Sequence, residues 1–163
     1  MPTLTEALEL IRRNAKAWGV YLSPPLSLRE IAATKSAFEA SFQVSFPADY
    51  ERLLAFSNGI ETQRGSLFDS KSLHVWNDEH WRRTPTIRDL HRGGALYESF
   101  PSADPRPLEY LWIGSYGNMD MYSFQLLTRQ YHVTNLGFDC VYDKFGELGD
   151  FLLYLADQRI EFE

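Results

Sequence analysis

The sequence predicts an α+β fold in a single domain, with N-terminal helices, one mainly antiparallel β-sheet and a closing C-terminal helix. Three observations predict it. Capped segments of helical period fill residues 1–59, the pattern switches to period two after Gly59, and a helical apolar stripe returns after Gly146. Helices followed by a run of strands with short connections pack as helices on an antiparallel sheet. A length of 163 residues suits one domain with a sizeable core.

The first helix starts at a capping box, Thr3-Leu-Thr-Glu6, in which each side chain can satisfy an orphan N–H of the other residue. Leu4, Ala7, Leu8, Ile11, Ala15 and Trp18 form its stripe, and Gly19 stops it. Residues 20–25 read as an extended connector because Pro24-Pro25 bars helix. A second capping box, Ser27-Leu-Arg-Glu30, opens a helix with the stripe Leu28, Ile31, Ala32, Lys35, Phe38 and Phe42, the Lys35 stem snorkelling at its edge. The third helix lies within residues 42–59. Pro47 suits its first position and Asp49 its first turn. Phe46, Tyr50, Leu53, Leu54 and Ser57 share a face, and Asn58-Gly59 supplies a left-handed stop.

Strands are expected at 66–69, 73–76, 110–113, 119–127, 131–134 and 138–142, with Gly114-Ser-Tyr-Gly-Asn118 as a turn. The sheet then occupies 60–76 and 110–142, split by an irregular insertion at 77–109 rich in Arg, Gly and Pro. The closing helix is expected over 147–159, with Leu148, Phe151, Leu152 and Leu155 on one face.

Composition excludes several classes of function. No apolar run approaches the roughly 18 residues of a membrane span. The first residues lack the basic and apolar regions of a secretory signal, and the one cysteine, Cys140, has no internal disulfide partner. These features lead to the expectation of a cytoplasmic protein with no membrane association. A net charge of −6 argues against direct binding of nucleic acid, which requires a basic stripe. The excess is local. Residues 110–163 hold eight carboxylates against Arg129, Lys144 and Arg159, while residues 1–65 are balanced. That segment is either a solvated face or a docking surface for a basic partner.

Catalytic patterns are missing from the sequence. His74, His80, His91 and His132 show no metal-binding spacing, and Cys140 has no neighbour at zinc spacing. Asp139 beside Cys140 sets a negative charge where a nucleophilic thiolate calls for a positive one. Gly114-Ser-Tyr-Gly-Asn118 lacks the Gly-Lys-Ser/Thr ending of a phosphate loop and precedes a strand, and there is no Gly-x-Ser-x-Gly elbow. The expectation is a protein that is not an enzyme and uses no metal or cofactor.

The string 42–59, an acidic-aromatic helix end followed by hydrophobic-Pro-x-Asp-Tyr, Leu-Leu and Asn-Gly, resembles the signature of the SUKH superfamily. That group includes fungal cell-wall-synthesis regulators of SMI/KNR type and many bacterial immunity proteins. Leu111-Trp-Ile-Gly114, then Gly117-Asn-Met-Asp120, Tyr122 and Phe124, looks like the family's central step. Phe151-Leu152 resembles its terminal helix, from which Gly146 and Gly149 depart. The resemblance spans about 28–59 and 110–156 and leaves 77–109 outside. It implies a SUKH-like domain that acts by binding a protein, and for bacterial members the neutralisation of a toxin, often a nuclease. Nuclease domains tend to be basic, so an acidic inhibitor would be steered onto one.

On that reading Asp139, Asp143, Asp150 and Asp157 are candidates for the acidic part of a binding face. Trp76, Tyr116 and Tyr122 are candidate aromatic anchors, because binding energy concentrates on such residues. Core burial is the competing reading for each aromatic, and idle solvent exposure for each acid. Two other readings stand beside the immunity protein. One is a regulatory or scaffolding module of the same fold with an endogenous partner. The other is an enzyme or small-ligand binder walled by the 77–109 insertion. The sequence leaves the oligomeric state open.

Overall fold

A computed structural model describes residues 2–42, 45–67, 70, 74–76, 110–116, 120–135 and 140–156. The fold class is the expected α+β, with three N-terminal helices, antiparallel strands and a closing helix. The chain forms two compact units, residues 1–73 with 145–163, and residues 74–144. The expected insertion at 77–109 lies outside the described residues.

In the first unit, both capping boxes form. The Thr3 N–H donates to Glu6 Oε2 at 2.7 Å and the Glu6 N–H to Thr3 Oγ1 at 3.3 Å, opening α1 (Leu4–Trp18). Ser27 and Glu30 repeat the exchange at 2.8 and 3.3 Å, opening α2 (Leu28–Phe42). These bonds favour the charged carboxylates. Glu6 is held below the usual range first by the Thr3 N–H, and Glu30 first by the Ser27 hydroxyl. Gly19 closes α1 in the left-handed region, at φ 63°.

The α1 stripe buries Leu4, Ala7, Leu8 and Ile11, while Ala15 and Trp18 are half-buried. The α2 stripe needs correction, because Leu28 is 82% exposed and Ala32 is exposed. Its inward positions are Ile31 and Phe38, and Lys35 is held by an ion pair from Nζ to Glu51 Oε1 of the next helix at 2.7 Å. Leu28 stands in the first turn beside the capping box, before the helix meets its neighbour.

Helix α3 (Ala48–Phe56) starts one residue later than expected, with Pro47 as its N-cap at φ −64° and ψ 125°. Phe46, Tyr50, Leu53, Leu54 and Ser57 are all buried, as the stripe predicted. The expected glycine stop is also corrected. Ser57 ends the helix in extended backbone, and Gly59, at φ 112°, leads into the strand that starts at Ile60. Asn58 and Ser57 instead tie segments together. The Ser57 hydroxyl donates to the Ser23 carbonyl at 3.0 Å, the Asn58 N–H donates to the Pro24 carbonyl, and Asn58 Oδ1 accepts from the Ser70 N–H at 2.8 Å. Three short antiparallel strands adjoin this knot: β1 (Tyr21–Leu22), before α2, and β2 (Ile60–Thr62) and β3 (Gly65–Leu67), after α3, ordered β1-β2-β3.

The closing helix α4 (Leu148–Leu155) is shorter at each end than the expected 147–159. It buries Leu148, Phe151, Leu152 and Leu155 as predicted, along with Gly149. Residues 157–159 lie outside the described residues. Phe145 lies against Phe151 and Tyr154, with ring centroids 5.5 and 5.0 Å apart. The guanidinium of Arg64 sits 4.7 Å over the Tyr154 ring, and that of Arg12 lies the same distance over Phe56.

The second unit is a stack of antiparallel strands: β4 (His74–Trp76), β5 (Tyr110–Tyr116), β6 (Asp120–Gln125) and β7 (Gln130–Asn135), with β8 (Val141–Phe145) next to β7. The stretch Gly114-Ser-Tyr116 is strand rather than the expected turn, pairing with Tyr122, Met121 and Asp120. A register shift between Trp112 and Gly114 leaves Ile113 as the extra residue of a bulge, and Trp112 Nε1 donates to the Gly114 carbonyl across it at 2.7 Å. Met121 to Gln125 and Tyr131 to Thr134 are buried without a break, so β6 and β7 are covered on both faces.

Candidate partner-binding surface

The last strand differs from its neighbours. Cys140 and all of Val141, Tyr142, Asp143 and Lys144 are exposed, with Tyr142 at 55%, whereas the adjacent strand β7 is buried from Tyr131 to Thr134. In a strand the side chains alternate, so Val141 and Asp143 share one face and Tyr142 and Lys144 the other. Both faces of β8 are therefore open to solvent, and among the described residues no strand pairs with its far edge. The sequence reading ended this strand at 142. Its continuation to Phe145 adds Asp143 and Lys144 to the strand.

The structure separates the candidate residues. Asp143 lies on the exposed strand, as a binding acid must. Asp150 is half-buried in the first turn of α4, where a carboxylate suits the helix dipole. Asp139 and Asp157 lie outside the described residues. Tyr116, 42% exposed at the end of β5, is available to a partner. Tyr122 is not an anchor. At 2% exposure in the middle of β6 it belongs to the core, because the strand is covered on both faces. The backbone of Trp76 pairs with Tyr110 at the end of β4, and its side chain lies outside the described residues. Gly114 is part of the β5 bulge rather than a turn, and 117–118 lie outside the described residues.

Sequence reasoning missed Val141 and Tyr142 as exposed residues, and it missed a buried polar group in β6 and β7. Pairing places Ser123 opposite His132 and Met121 opposite Thr134, so Ser123, His132 and Thr134 share one face at 4% exposure or less. Ser123 Oγ and Thr134 Oγ1 find no hydrogen-bond partner among the described residues. The signal was present as polar residues at alternate positions, which read equally well as a solvated face.

Burial, and next the charge of Lys144, lower the pKa of His132 below the ordinary imidazole value. The folded state therefore holds a neutral ring that the unfolded chain protonates below about pH 6.5. Its contribution to stability is complete above that value and is lost as pH falls through it towards the folded pKa. Urea midpoints measured at pH 7.5 and pH 5.5 should fall on acidification, and His132→Gln should flatten the difference. An equal fall in wild type and variant would assign the pH response to other groups. Burial raises the pKa of Asp120, which acts in the opposite direction and favours the folded state on acidification.

Among the described residues no group of three or more His, Cys, Asp or Glu could hold a metal ion, and no helix is long and apolar enough to cross a membrane. No protein-family model matches the chain, and no curated protein matches it either.

Proposed function

We propose that this chain is a non-enzymatic, cytoplasmic protein-binding module that neutralises a basic, nuclease-type toxin domain by covering its working surface. The observation that carries this reading is β8, an edge strand open on both faces that presents Tyr142 and Asp143 to solvent. Tyrosine supplies a large contact area at low entropic cost, and the carboxylate belongs to a segment with a strong acidic excess. The likeness of residues 42–59 and 110–124 to the SUKH signatures supports the same reading. A regulatory module with an endogenous partner is the second reading, since it would use the same exposed strand without a toxin.

Calorimetric titration against basic nuclease-type toxin domains, starting with any encoded beside this gene, at low and moderate salt, tests the proposal. The expected result is nanomolar affinity that weakens as salt screens the charges. Asp143→Lys should weaken it about tenfold at low salt, equivalent to about 1.4 kcal/mol. Absence of binding at both salt concentrations would remove the immunity reading and leave the regulatory one, for which host proteins are the place to search.

A further inference from the structure

We infer that the polar face of β6 and β7 holds an internal water molecule bonded between Ser123 Oγ and Thr134 Oγ1. The inference is independent of the reading of this chain as a protein-binding module.

The two faces of these strands differ in chemistry. Residues opposed in register, or two apart along a strand, share a face. Tyr122, Phe124, Tyr131 and Val133 make one face apolar. The other carries Met121, Ser123 and Gln125 with His132 and Thr134, and Trp112 of β5 is opposed to Ser123. A face of that composition is ordinarily left to solvent. Here all six residues are exposed by 4% or less.

Ser123 is the smallest of the six. Trp112 and His132 stand beside it on the neighbouring strands, and Met121 and Gln125 on its own. A short side chain among four long ones leaves a notch above it. Two of the four are pinned by hydrogen bonds and do not turn into that notch. Trp112 Nε1 donates to the Gly114 carbonyl at 2.7 Å, and Gln125 Oε1 accepts from the Thr128 N–H at 2.5 Å. Thr134 is diagonal to Ser123 across the pair, a separation of about 7 Å between backbones and less between side chains. One water bonding each hydroxyl at about 2.8 Å bridges such a gap.

Neither Ser123 Oγ nor Thr134 Oγ1 has a hydrogen-bond partner among the described residues, and a buried hydroxyl left without one is costly. Charge selects the occupant. None of the six is a carboxylate, lysine or arginine, and burial holds the His132 ring neutral, so an ion finds no countercharge. A small neutral molecule that both donates and accepts satisfies both hydroxyls, and water is the smallest.

Oxygen-17 relaxation dispersion counts long-lived internal waters in the full chain without interference from exchanging protons. Thr134→Val, which replaces the hydroxyl with a methyl group, should remove one such water and raise the unfolding equilibrium constant about fivefold, the worth of one hydrogen bond. Ser123→Ala should remove the same water. The double variant should lose no second water, and its stability loss should be smaller than the sum of the two single losses. Thr134→Ser keeps the hydroxyl and should keep the water. A Thr134→Val variant more stable than wild type would show an unpaired hydroxyl and overturn the inference. A stability loss with the water count unchanged would assign the bonds to protein groups and overturn it equally, as would a wild-type chain with no long-lived water. If Thr134→Val does not fold, Ser123→Ala set against Thr134→Ser makes the same comparison.

Discussion

Tyr122→Ala is expected to destabilise the protein by about 3–5 kcal/mol, the range for truncating a large buried aromatic. For a chain of this length that is a fall in Tm of about 10 °C or more. Tyr122 is 2% exposed in a strand buried without interruption from Met121 to Gln125, so the truncation opens a cavity with neighbours on both faces. Tyr116→Ala, six residues earlier at the end of β5 and 42% exposed, should stay within about 0.5 kcal/mol of wild type. Thermal unfolding of the two variants side by side separates a core tyrosine from an accessible one. Comparable losses in both would mean that Tyr116 is buried in solution. For binding assays the consequence is direct: lost affinity in the Tyr122 variant reports unfolding, whereas in the Tyr116 variant it reports contact.

Gly149→Val is expected to destabilise by about 2–3 kcal/mol through overpacking. A Cβ at this position would stand 3.3 Å from both the Ala7 Cβ and the Leu4 Cα, and the second of these is backbone that cannot rotate away. The glycine thus lets α4 approach the first turn of α1, and a branched side chain would force the two helices apart. Gly149→Ala should fall between wild type and valine, because a gain in helix propensity of about 1 kcal/mol offsets part of the crowding. Gly146→Ala is the matched control. Nothing lies within 4 Å of its added Cβ, so that variant should be neutral or stabilised by up to about 1 kcal/mol. Chemical denaturation of the three variants would read the order directly, and a valine variant as stable as wild type would show that α1 and α4 can separate freely.

These two glycines show what a sequence carries and what it does not. Both looked like departures from a helical pattern. Gly149 is a packing requirement, decided by residues 142 and 145 positions away in the chain, and no local pattern encodes that distance. The helix starts were different. Thr3 with Glu6 and Ser27 with Glu30 lie within one turn of each other, so their hydrogen bonds follow from spacing alone. The stripes of α1, α3 and α4 were legible for the same reason, since helical period and apolar character sit in a contiguous window.

The candidate site was less legible. Asp143 was picked out by the acidic excess of its segment, and the strand that displays it was placed three residues short at its C-terminal end. Tyr122 and Tyr116 are chemically identical and stand in neighbouring strands, so residue type could not say which one a partner can reach. Asn58-Gly59 reads as a helix stop, but its work is tertiary, with the side chain and backbone of Asn58 bonding Ser70 and Pro24.

By itself, then, the sequence determined the α+β class, the two capping-box helix starts, the buried stripes of α1, α3 and α4 and most of the strands, because each depends on residues a few positions apart. Only the tertiary structure decided which strands are covered on both faces, which glycine is a contact, and that residues 141–144 of β8 are exposed. Those outcomes depend on what packs against each element, and burial is a property of neighbours that the local chain does not contain.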